Sequence, residues 1–445
     1  MWSNKFMLVA LGSHVLTVSS LSLDARSDNS VKNAAKAIAA GLTSNYTSAP
    51  KIQEWWQDSL MYNALIDYWA LTGDDQFNTI TKQGILGQVG NDNDFMPAAQ
   101  SLYETNSEQA SWAMAAMNAA EAGLDSSNNN SSWIKLVENV FGEQAARWDT
   151  DVCSGGLKDD IEPLETDYRT KGAFSNGLFM QLAARLARYT GNSSYNEWPE
   201  KVWKWSESVG LLDSNYSVYD IVDISDDCKV ASKLMFTANF GPYLSTAAIQ
   251  YNSTSGSSVW KSRLDGVLSR ASSLFFYNNT DIMFEAVCET TQTCNEDMTS
   301  YKTVLARALG DVATFAPYQE TIVTPKIQGS ATAAAKQCSG TSDKDTFCNF
   351  SWLSSQADDE FTNLGSQISA LQIVLANLDR PQLASANQTS PGDASGTTGP
   401  SSTSTGAPSS TQSTTATPTT GVGNRVVGSM CGVLAGVVAA MLFSL

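Results

Sequence analysis

Histidine is almost absent from this sequence, because its 445 residues contain only His14. A chain without a usable histidine excludes Ser-His and Cys-His nucleophilic pairs and the common histidine-containing zinc sites. Neither G-x-x-x-x-G-K-[ST] nor G-x-G-x-x-G occurs, which excludes the usual phosphate-binding loops. The acid–base groups that remain are mainly carboxylates, tyrosine and lysine. We therefore expect no cofactor and no metal.

Basic residues are also scarce, with 27 Lys and Arg against 45 Asp and Glu and a net charge of −18. A chain this acidic repels nucleic acid and anionic membranes, and no basic run offsets that repulsion. We expect the partners to be neutral molecules, and we expect no binding to nucleic acid. We expect the protein to be a monomer.

The N-terminus matches a secretory signal. Residues 1–22 combine Lys5, an apolar stretch over residues 6–18 and small residues at Ser20 and Ser22. This segment is too short and too early for a membrane-spanning helix. The sequence therefore predicts a secreted protein whose folded domain covers residues 23–390.

The C-terminus matches a second processing pattern. Residues 391–424 form a linker rich in Ser, Thr and Pro that contains the attachment region, and residues 425–445 form a hydrophobic tail. Small residues, a polar spacer and an apolar tail predict a GPI-anchor signal whose tail is removed. The alternative is a membrane-spanning anchor, but the apolar run from Met430 to the last residue is short for a span. We therefore predict a protein of the cell surface or the cell wall that contacts the membrane only through a GPI anchor.

The cysteines are consistent with export. There are seven, of which Cys431 lies in the tail. Six remain in an oxidising compartment, which predicts three disulfides. Proximity favours Cys288–Cys294 and Cys338–Cys348 and leaves Cys153–Cys228, although other pairings are formally possible. Nine N-x-[ST] sequons indicate a glycosylated surface.

Between residues 23 and 390 the apolar residues recur at helical spacing, and alternating strand patterns are scarce. Two segments, "LIDYWALTGDDQFN" and "AARLARYTGNSSYNEW", share a helix–turn–helix phrase. A helical array built from hairpins predicts an all-α fold, an (α/α)6 toroid, and the alternative is an unrelated helical bundle. The twelve predicted helices cover 31–42, 59–72, 76–88, 107–123, 132–148, 173–190, 195–208, 232–251, 257–276, 299–315, 328–337 and 360–378.

The aromatic content indicates a carbohydrate ligand. The chain has 12 Trp and 14 Tyr, and aromatic faces stack on sugar rings while carboxylates and amides bind hydroxyl groups. Several tryptophans lie near acidic or amide residues, but tryptophan at helical spacing is more often part of a core.

Two acidic segments are candidates for chemistry. The first, residues 90–97, has oxygen ligands but lacks the spacing and closing glutamate of an EF-hand, so we predict no calcium site there. The second is Asn106-Ser107-Glu108-Gln109, which opens an Ala-rich helix. It has the residues of an ordinary helix start, with Asn106 or Ser107 as the cap and Glu108 facing the macrodipole. A cap does not exclude a site, because helix starts in a toroid surround the central cleft.

The sequence resembles glycoside hydrolase family 76, in particular its fungal GPI-anchored cell-wall members of the mannan endo-1,6-α-mannosidase type. The resemblance rests on "WWQDSLMYNALIDYWALTGDDQFN", "GQVGNDNDFMPAAQ", "NSEQASWAMAAMNAAE", "RWD…CSGGL", "SNGLFMQLAARLARYTGN", "VYD", "CNEDMTSYK" and "QCSG", in order over about residues 30–380. It implies an (α/α)6 toroid and a retaining hydrolase or transglycosidase acting on α-1,6-mannosidic linkages of mannan or GPI glycan in cell-wall biogenesis.

The sequence departs from this family at the catalytic pair. The family has Asn-Asp-Asp-Gln, with the first Asp as nucleophile and the second as acid/base, where this chain has Ser107 and Glu108. Retention requires two carboxyl groups about 5–5.5 Å apart, and Ser107 supplies none. Three hypotheses follow: a degenerate mannan-binding relative; a substitute carboxylate, Glu104 or Asp94, with Ser107 placing a water; or slow catalysis by Glu108 alone.

The resemblance also implies a set of sugar-binding residues. Met235, Phe236 and Met298 depart from the family pattern on the substrate side, whereas Asp297 matches it. The candidate catalytic residues are Glu108 as general acid/base, Ser107 at the nucleophile position, and Glu104 and Asp94. The candidate substrate-binding residues are Trp55, Trp56, Trp112, Asn106, Gln109, Asn176 and Asp297.

Overall fold

The computed structural model describes residues 19–46, 55–126, 132–353 and 362–380. Twelve α-helices lie within these ranges, one for each predicted helix. They are α1 Asp28–Tyr46, α2 Trp55–Thr72, α3 Asn78–Leu86, α4 Asn106–Ala122, α5 Trp133–Ala146, α6 Ala173–Thr190, α7 Glu197–Ser208, α8 Thr237–Ser253, α9 Ser258–Leu274, α10 Tyr301–Phe315, α11 Glu320–Lys336 and α12 Leu364–Leu375.

The even-numbered helices form a closed inner ring. Each packs against the next, from α2 to α12, and α12 packs back against α2. The odd-numbered helices lie outside and pack on their inner neighbours. The inner helices α4, α6 and α8 are buried on nearly every side, whereas the outer helix α7 is amphipathic, as expected for the two layers. The fold is the predicted (α/α)6 toroid.

The two ends of the ring differ in chemistry, and we call the end where the inner helices begin the open end. There the first turns of different inner helices meet: Trp56 of α2 donates to Asp297 before α10, and Thr299 donates to Asn363, the N-cap of α12. The end where the inner helices stop is here called the closed end. The loops that join each outer helix to the next inner helix therefore lie at the open end.

Short antiparallel strands occupy the open-end loops. Strands β2 (Thr170–Gly172), β3 (Ile221–Asp223) and β4 (Lys229–Ser232) form one sheet in that order. Strands β1 (Ser19–Ser20), β5 (Cys338–Gly340) and β6 (Phe347–Cys348) form the other, in the order β1-β5-β6. These strands are too short to give an alternating pattern, so the sequence did not predict them.

All three predicted disulfides are confirmed, and all lie in open-end loops. Cys153–Cys228 joins the loop before α6 to the loop before α8. Cys288–Cys294 closes a turn before α10, and Cys338–Cys348 joins β5 to β6.

Several predicted helix boundaries are wrong. Helix α11 begins at Glu320, not at 328, because Pro325 is accommodated inside it although proline normally ends a helix. Helix α8 begins at Thr237, not at 232, because β4 occupies Lys229–Ser232. The start of α4 was predicted to within one residue, at 107 against the observed Asn106, and Thr105 before it is extended with φ −97° and ψ 159°.

Arginine–carboxylate pairs fill the closed end. Asp67 of α2 accepts hydrogen bonds from Arg307 of α10, from Arg380 at 2.9 Å and from Asn118 of α4 at 3.0 Å. Burial alone raises the pKa of Asp67, but Arg307 and Arg380 hold it well below its usual range. This cluster ties four segments of the ring together.

A second buried pair lies beside it. Glu121 of α4 accepts from Arg185 of α6 at 2.5 Å and from Arg188 at 2.8 Å. Burial raises the pKa of Glu121, but the two guanidinium groups lower it to about 2. Glu121 is thus ionised and paired.

Most of the signal-peptide prediction (residues 1–22), and all of the linker (391–424) and tail (425–445) predictions, lie outside the described residues. Of the predicted signal, Ser19–Ser20 form β1, and Leu21 N–H donates to Cys338 O at 2.8 Å. Within the described ranges, no helix is both long and apolar enough to span a bilayer.

Candidate active site

A capping box fixes the start of α4. Thr105 Oγ1 accepts from Glu108 N–H at 3.1 Å, and Glu108 Oε2 accepts from Thr105 N–H at 2.9 Å. The N-cap is therefore Thr105, and not Asn106 or Ser107 as predicted. Two contacts with Thr105 hold the Glu108 carboxyl group at the positive end of the helix dipole. We call residues 105–109 the catalytic turn.

Arg147 fixes the two amides of the catalytic turn. Its Nε donates to Asn106 Oδ1 at 3.0 Å and its Nη2 donates to Gln109 Oε1. Asn106 Nδ2 donates to Lys158 O at 2.9 Å, and Gln109 Nε2 donates to Asp94 O at 3.0 Å. Both amides are buried, so they position the turn and do not present free groups to a sugar.

Glu104 lies beside Glu108 in an unusual environment. It is 2% exposed, and neither carboxyl oxygen has a hydrogen-bond partner among the described residues. Burial raises the pKa of Glu104 to about 9, and the charges of Glu108 and Asp94 add to the rise while Arg147 opposes it. Glu104 is therefore protonated at neutral pH, and it lies near Glu108.

Asp94 belongs to the same acidic group. It is buried, and its Oδ1 accepts from Met96 N–H at 3.1 Å. Its charge raises the pKa of both Glu104 and Glu143. For Glu143, burial is the larger cause. The structure thus brings together the three predicted carboxylates, Glu104, Glu108 and Asp94, and adds Glu143.

Ser107 occupies the predicted nucleophile position. Its Oγ lies 2.9 Å from Thr105 Oγ1, which is a hydroxyl and not a base. Its carbonyl accepts from Ser111 Oγ at 2.8 Å as part of the first turn of α4. A serine in this setting is suited to orienting a water and not to attacking a sugar carbon.

Trp56 and Asp297 form one cluster at the open end. Trp56 Nε1 donates to Asp297 Oδ1 at 2.6 Å, and Tyr301 OH donates to Asp297 Oδ2 at 2.9 Å. The Trp56 ring lies 6.1 Å from Phe174 and 6.3 Å from Tyr301. Burial raises the pKa of Asp297, while the hydrogen bonds from Tyr301 and Trp56 oppose the rise. The predicted substrate-binding residues Trp56 and Asp297 therefore act as a pair.

Two other predicted sugar-binding residues lie in the core. Trp112 is 1% exposed, and its ring packs 5.2 Å from Trp55 and 6.1 Å from Phe95. Asn176 is fully buried. Its Oδ1 accepts from Leu157 N–H, and its Nδ2 donates to Leu157 O. Trp55 remains partly exposed and donates to Gln88 at 2.8 Å. Trp112 supports Trp55 from below, and Asn176 fixes the loop before α6.

Sequence reasoning missed a further carboxylate pair in the open end. Asp220 accepts from Asn239 Nδ2 at 3.2 Å, and burial raises its pKa. Asp159 accepts from Thr170 and Ser175 hydroxyls, both at 2.7 Å. Burial raises the pKa of Asp159 to about 6, against those hydrogen bonds, and the charge of Asp220 adds to the rise.

Both Arg147 and Asp220 had a signal in the sequence. Arg147 belongs to "RWD" and Asp220 to "VYD", two stretches that resemble the family. Their roles depend on contacts with residues distant in the chain, which neither stretch reveals. No group of three or more His, Cys, Asp or Glu side chains in the described ranges has an arrangement that could hold a metal ion.

Comparison with known proteins identifies relatives across the folded region. Residues 30–388 match Glycosyl hydrolase family 76. The mannan endo-1,6-alpha-mannosidase DCW1 of Saccharomyces cerevisiae is 37% identical over 375 residues, covering 81% of this chain and 82% of the relative. The protein of the same name from Candida glabrata is 36% identical over 396 residues, covering 86% and 87%.

Solved structures give the same result. Dfg5 from Chaetomium thermophilum, solved with glucosamine, has a TM-score of 0.76 and 30% identity, covering 83% of this chain and 96% of its own. The GH76A α-1,6-mannanase from Salegentibacter has a TM-score of 0.61 at 16% identity, covering 78% and 98%. The second likeness concerns the fold alone.

Proposed function

Because the chain belongs to glycosyl hydrolase family 76, we propose that it is a hydrolase or transglycosidase acting on α-1,6-mannosidic linkages of mannan or GPI glycan. The fungal relatives carry the name mannan endo-1,6-alpha-mannosidase, and that name supports the substrate class. Inactive variants of the Salegentibacter enzyme were solved with α-1,6-mannotriose and mannotetraose, which supports an oligosaccharide ligand for the fold.

The observation that carries the proposal is the carboxyl pair at the start of α4. Burial raises the pKa of Glu104 to about 9, whereas Glu108 accepts from the Thr105 N–H of the capping box. Two neighbouring carboxyl groups in different environments are the arrangement that glycosidic cleavage requires. Glu108 is the more exposed member of the pair.

Glu108 is the general acid/base in this proposal. It is partly exposed at the open end, whereas Glu104 is enclosed behind it. Glu108 takes a proton from solvent and gives it to the oxygen of the leaving sugar as the C1–O bond breaks. Glu104 stays protonated throughout, so it adds no second charge beside Glu108, because two adjacent ionised carboxylates in a buried setting repel each other.

Ser107 determines which route follows. A water held by Ser107 and deprotonated by a carboxylate gives inversion at C1. A direct attack by Glu104 or Asp94 on C1 gives a covalent intermediate and retention. We favour the water route, because Glu104 is neutral near pH 7 and a neutral carboxylic acid is a poor nucleophile.

Trp55 supplies the apolar surface for the sugar, and the next residue, Trp56, is 6% exposed and supports that surface from within. Trp55 packs on the buried Trp112, and Trp56 is fixed by Asp297. Asp297 and Tyr301 offer oxygen atoms for mannose hydroxyl groups beside Trp56. These two tryptophans follow each other at the start of α2, so they line neighbouring positions at the open end.

The proposed location is the cell surface. The relatives are fungal mannan enzymes, and mannan is a cell-wall polymer. The signal at residues 1–22 and the GPI signal over residues 391–445 would carry the protein there and hold it by a lipid anchor. We propose a secreted monomer that reaches the membrane only through that anchor.

The first test is Glu108→Gln, assayed on α-1,6-linked mannose oligosaccharides. We expect kcat to fall by about 100-fold to 10,000-fold, the usual effect of removing a general acid. Glu162→Gln, in the loop before α6, is the matched control and should leave kcat unchanged. An equal fall in kcat in both variants, or no fall in either, would contradict the assignment of Glu108 as the general acid/base.

The second measurement is the anomer of the product, followed by NMR. An inverted product supports the water route, and a retained product requires Glu104 or Asp94 as the nucleophile. Binding without cleavage would make the protein a degenerate mannan-binding relative, an alternative that the enzyme names of the relatives disfavour. The double change Ser107→Asp with Glu108→Asp would then create activity.

A further inference from the structure

We propose that a pocket beside the catalytic turn binds one sugar unit of the glycan chain, away from the carboxylates that cleave it. We call it the side pocket. It rests on the proposed function, because it extends the same substrate beyond the cleavage point. Glu104, Ser107 and Glu108 do not line it, so it is separate from the cleavage chemistry.

The side pocket lies between the end of α5, the start of α4 and the loop before α6. Its volume is about 360 Å³, within the range of about 300–1,000 Å³ that small-molecule sites occupy. The residues that matter here are Arg147, Asp149, Asp151, Lys158, Asp160 and Tyr168.

A short backbone pairing separates the side pocket from the catalytic carboxylates. Thr105 forms an antiparallel bridge with Asp160, and Asn106 N–H donates to Asp159 O at 2.8 Å. Ile161 N–H donates to Glu104 O at 3.2 Å. The side pocket and the catalytic turn therefore share one wall, and a glycan can contact both faces of it.

The polar groups of the side pocket suit a neutral polyol. Lys158 Nζ lies 3.9 Å from the centre of the Tyr168 ring and 3.6 Å from Asp149 Oδ2. Asp160 accepts from Asp167 N–H at 2.6 Å. Cations and carboxylates alternate around the walls with acids in slight excess, which gives donors and acceptors for hydroxyl groups and disfavours an anion.

The walls are held in place before any ligand arrives. The Arg147 guanidinium is bound to Asn106 and Gln109, and Trp148 behind it is buried against Phe179 and Trp205. A ligand then binds without the cost of ordering these side chains.

An exposed aromatic residue lies close in the chain to the wall of the side pocket. Tyr103 is 68% exposed and lies two residues before Thr105, whose bridge partner Asp160 lines the side pocket. Leu164, which is 95% exposed, lies three residues after Ile161 in the opposite segment. A solvent-exposed tyrosine at this position offers a stacking face to a sugar that continues out of the side pocket.

The test measures how the effect of a side-pocket substitution depends on substrate length. The full-length protein and its Tyr168→Ala variant are assayed on α-1,6-linked mannose oligosaccharides of increasing length. We expect KM for the long substrates to rise about fivefold to tenfold, the effect of losing one or two polar or aromatic contacts. The shortest cleaved substrate should keep its KM, and kcat should not change.

Tyr318→Ala is the matched control. Like Tyr168, Tyr318 has a lysine over its ring, with Lys261 Nζ 4.4 Å from the ring centre, but it lies outside the open-end loops. It should leave KM unchanged at every length. Asp151→Asn, an exposed change in the side pocket, should reproduce the Tyr168→Ala trend even if that variant folds poorly. An equal rise in KM at all lengths, or no rise at any, overturns the side pocket.

The two proposals fail differently. If the wild-type protein cleaves no substrate, the proposed function is wrong. The side pocket is then tested by measuring, with NMR, how the long oligosaccharide binds. Binding that Tyr168→Ala weakens and Tyr318→Ala does not supports the side pocket alone. Cleavage with no length dependence in Tyr168→Ala supports the enzyme and removes the side pocket.

Discussion

The two ends of the ring place buried carboxylates in opposite circumstances. At the closed end Asp67 and Glu121 are each bonded to two arginines, and the pKa of both lies well below the usual range. At the open end burial raises the pKa of Glu104 to about 9 and of Glu285 to about 8. Burial is common to all four. The difference is that arginines bond directly to Asp67 and Glu121, whereas Arg147 and Lys302 lie near Glu104 and Glu285 without bonding to them.

The comparison separates stability from function within one fold. Paired carboxylates at the closed end hold α2, α4, α6 and α10 together. Glu104 and Glu285 at the open end lack a direct bond to a cation, and groups with such raised pKa values cluster where chemistry occurs. A ring of helices permits this division because all inner helices begin at the same end and stop at the other.

The largest expected effect comes from breaking the closed end with Asp67→Asn. The change leaves Arg307 and Arg380 buried without their carboxylate. Removing one partner of a buried ion pair typically costs about 3–5 kcal/mol. Chemical denaturation should show this loss in the free energy of unfolding. Asp226→Asn, in an exposed pair with Lys229, should leave the midpoint unchanged, and equal behaviour of the two variants would contradict the comparison.

An intermediate effect is expected from Glu104→Gln at the open end. The change replaces a neutral acid with a neutral amide, so it should lower kcat/KM at neutral pH by less than about tenfold, below the range for loss of a general acid. In the wild type, activity should fall as pH rises towards 9, because Glu104 then loses its proton. The pH profile of kcat/KM measures both effects. The variant should lose this alkaline limb, and an unchanged limb would show that another group controls it.

The smallest expected effect concerns Glu285, which caps α8. Its Oε2 accepts from Thr237 N–H at 3.1 Å and from Thr237 Oγ1 at 2.5 Å. Burial raises the pKa of Glu285 in the folded protein to about 8, above its unfolded value of about 4.5. Its contribution to the free energy of unfolding is therefore complete below pH 4.5 and declines as the pH rises to about 8. Thermal unfolding should therefore show lower stability at pH 8 than at pH 5.

Glu285→Gln should reduce that decline by about 1–2 kcal/mol, since a neutral amide has no proton to lose. The exposed Glu320→Gln is the control and should keep the wild-type pH dependence. Parallel pH curves for wild type and Glu285→Gln would contradict the protonated state of Glu285.

The fold was predictable because its signals are local. Helical spacing and turn residues indicated all twelve helices, and the repeated hairpin phrase indicated their pairing. The failures were local as well. The first turns of α11 were not predicted, because Pro325 inside the helix is normally a sign that a helix ends. Thr105 was not predicted as the cap of α4, because Asn106 and Ser107 are equally good capping residues.

The site was less predictable, because its chemistry depends on distant contacts. Glu108 was identified from its place in the chain, but the state of Glu104 depends first on its burial and then on nearby charges, including Arg147 at the end of α5. The burial of Trp112 and Asn176 depends on how helices pack, and no spacing rule distinguishes such residues from accessible ones.

Ring closure has a consequence for synthesis. Helix α12 packs against α2 and α1, and Gln367 of α12 donates to Ile38 O of α1 at 3.0 Å. The first helices thus wait for a partner more than 300 residues away, which leaves the ribosome after the other eleven described helices. Until then the edges of α2 and α10 that α12 will cover face solvent, and contacts of such long sequence separation form slowly. Apolar edges exposed in this way promote aggregation until α12 has been synthesised.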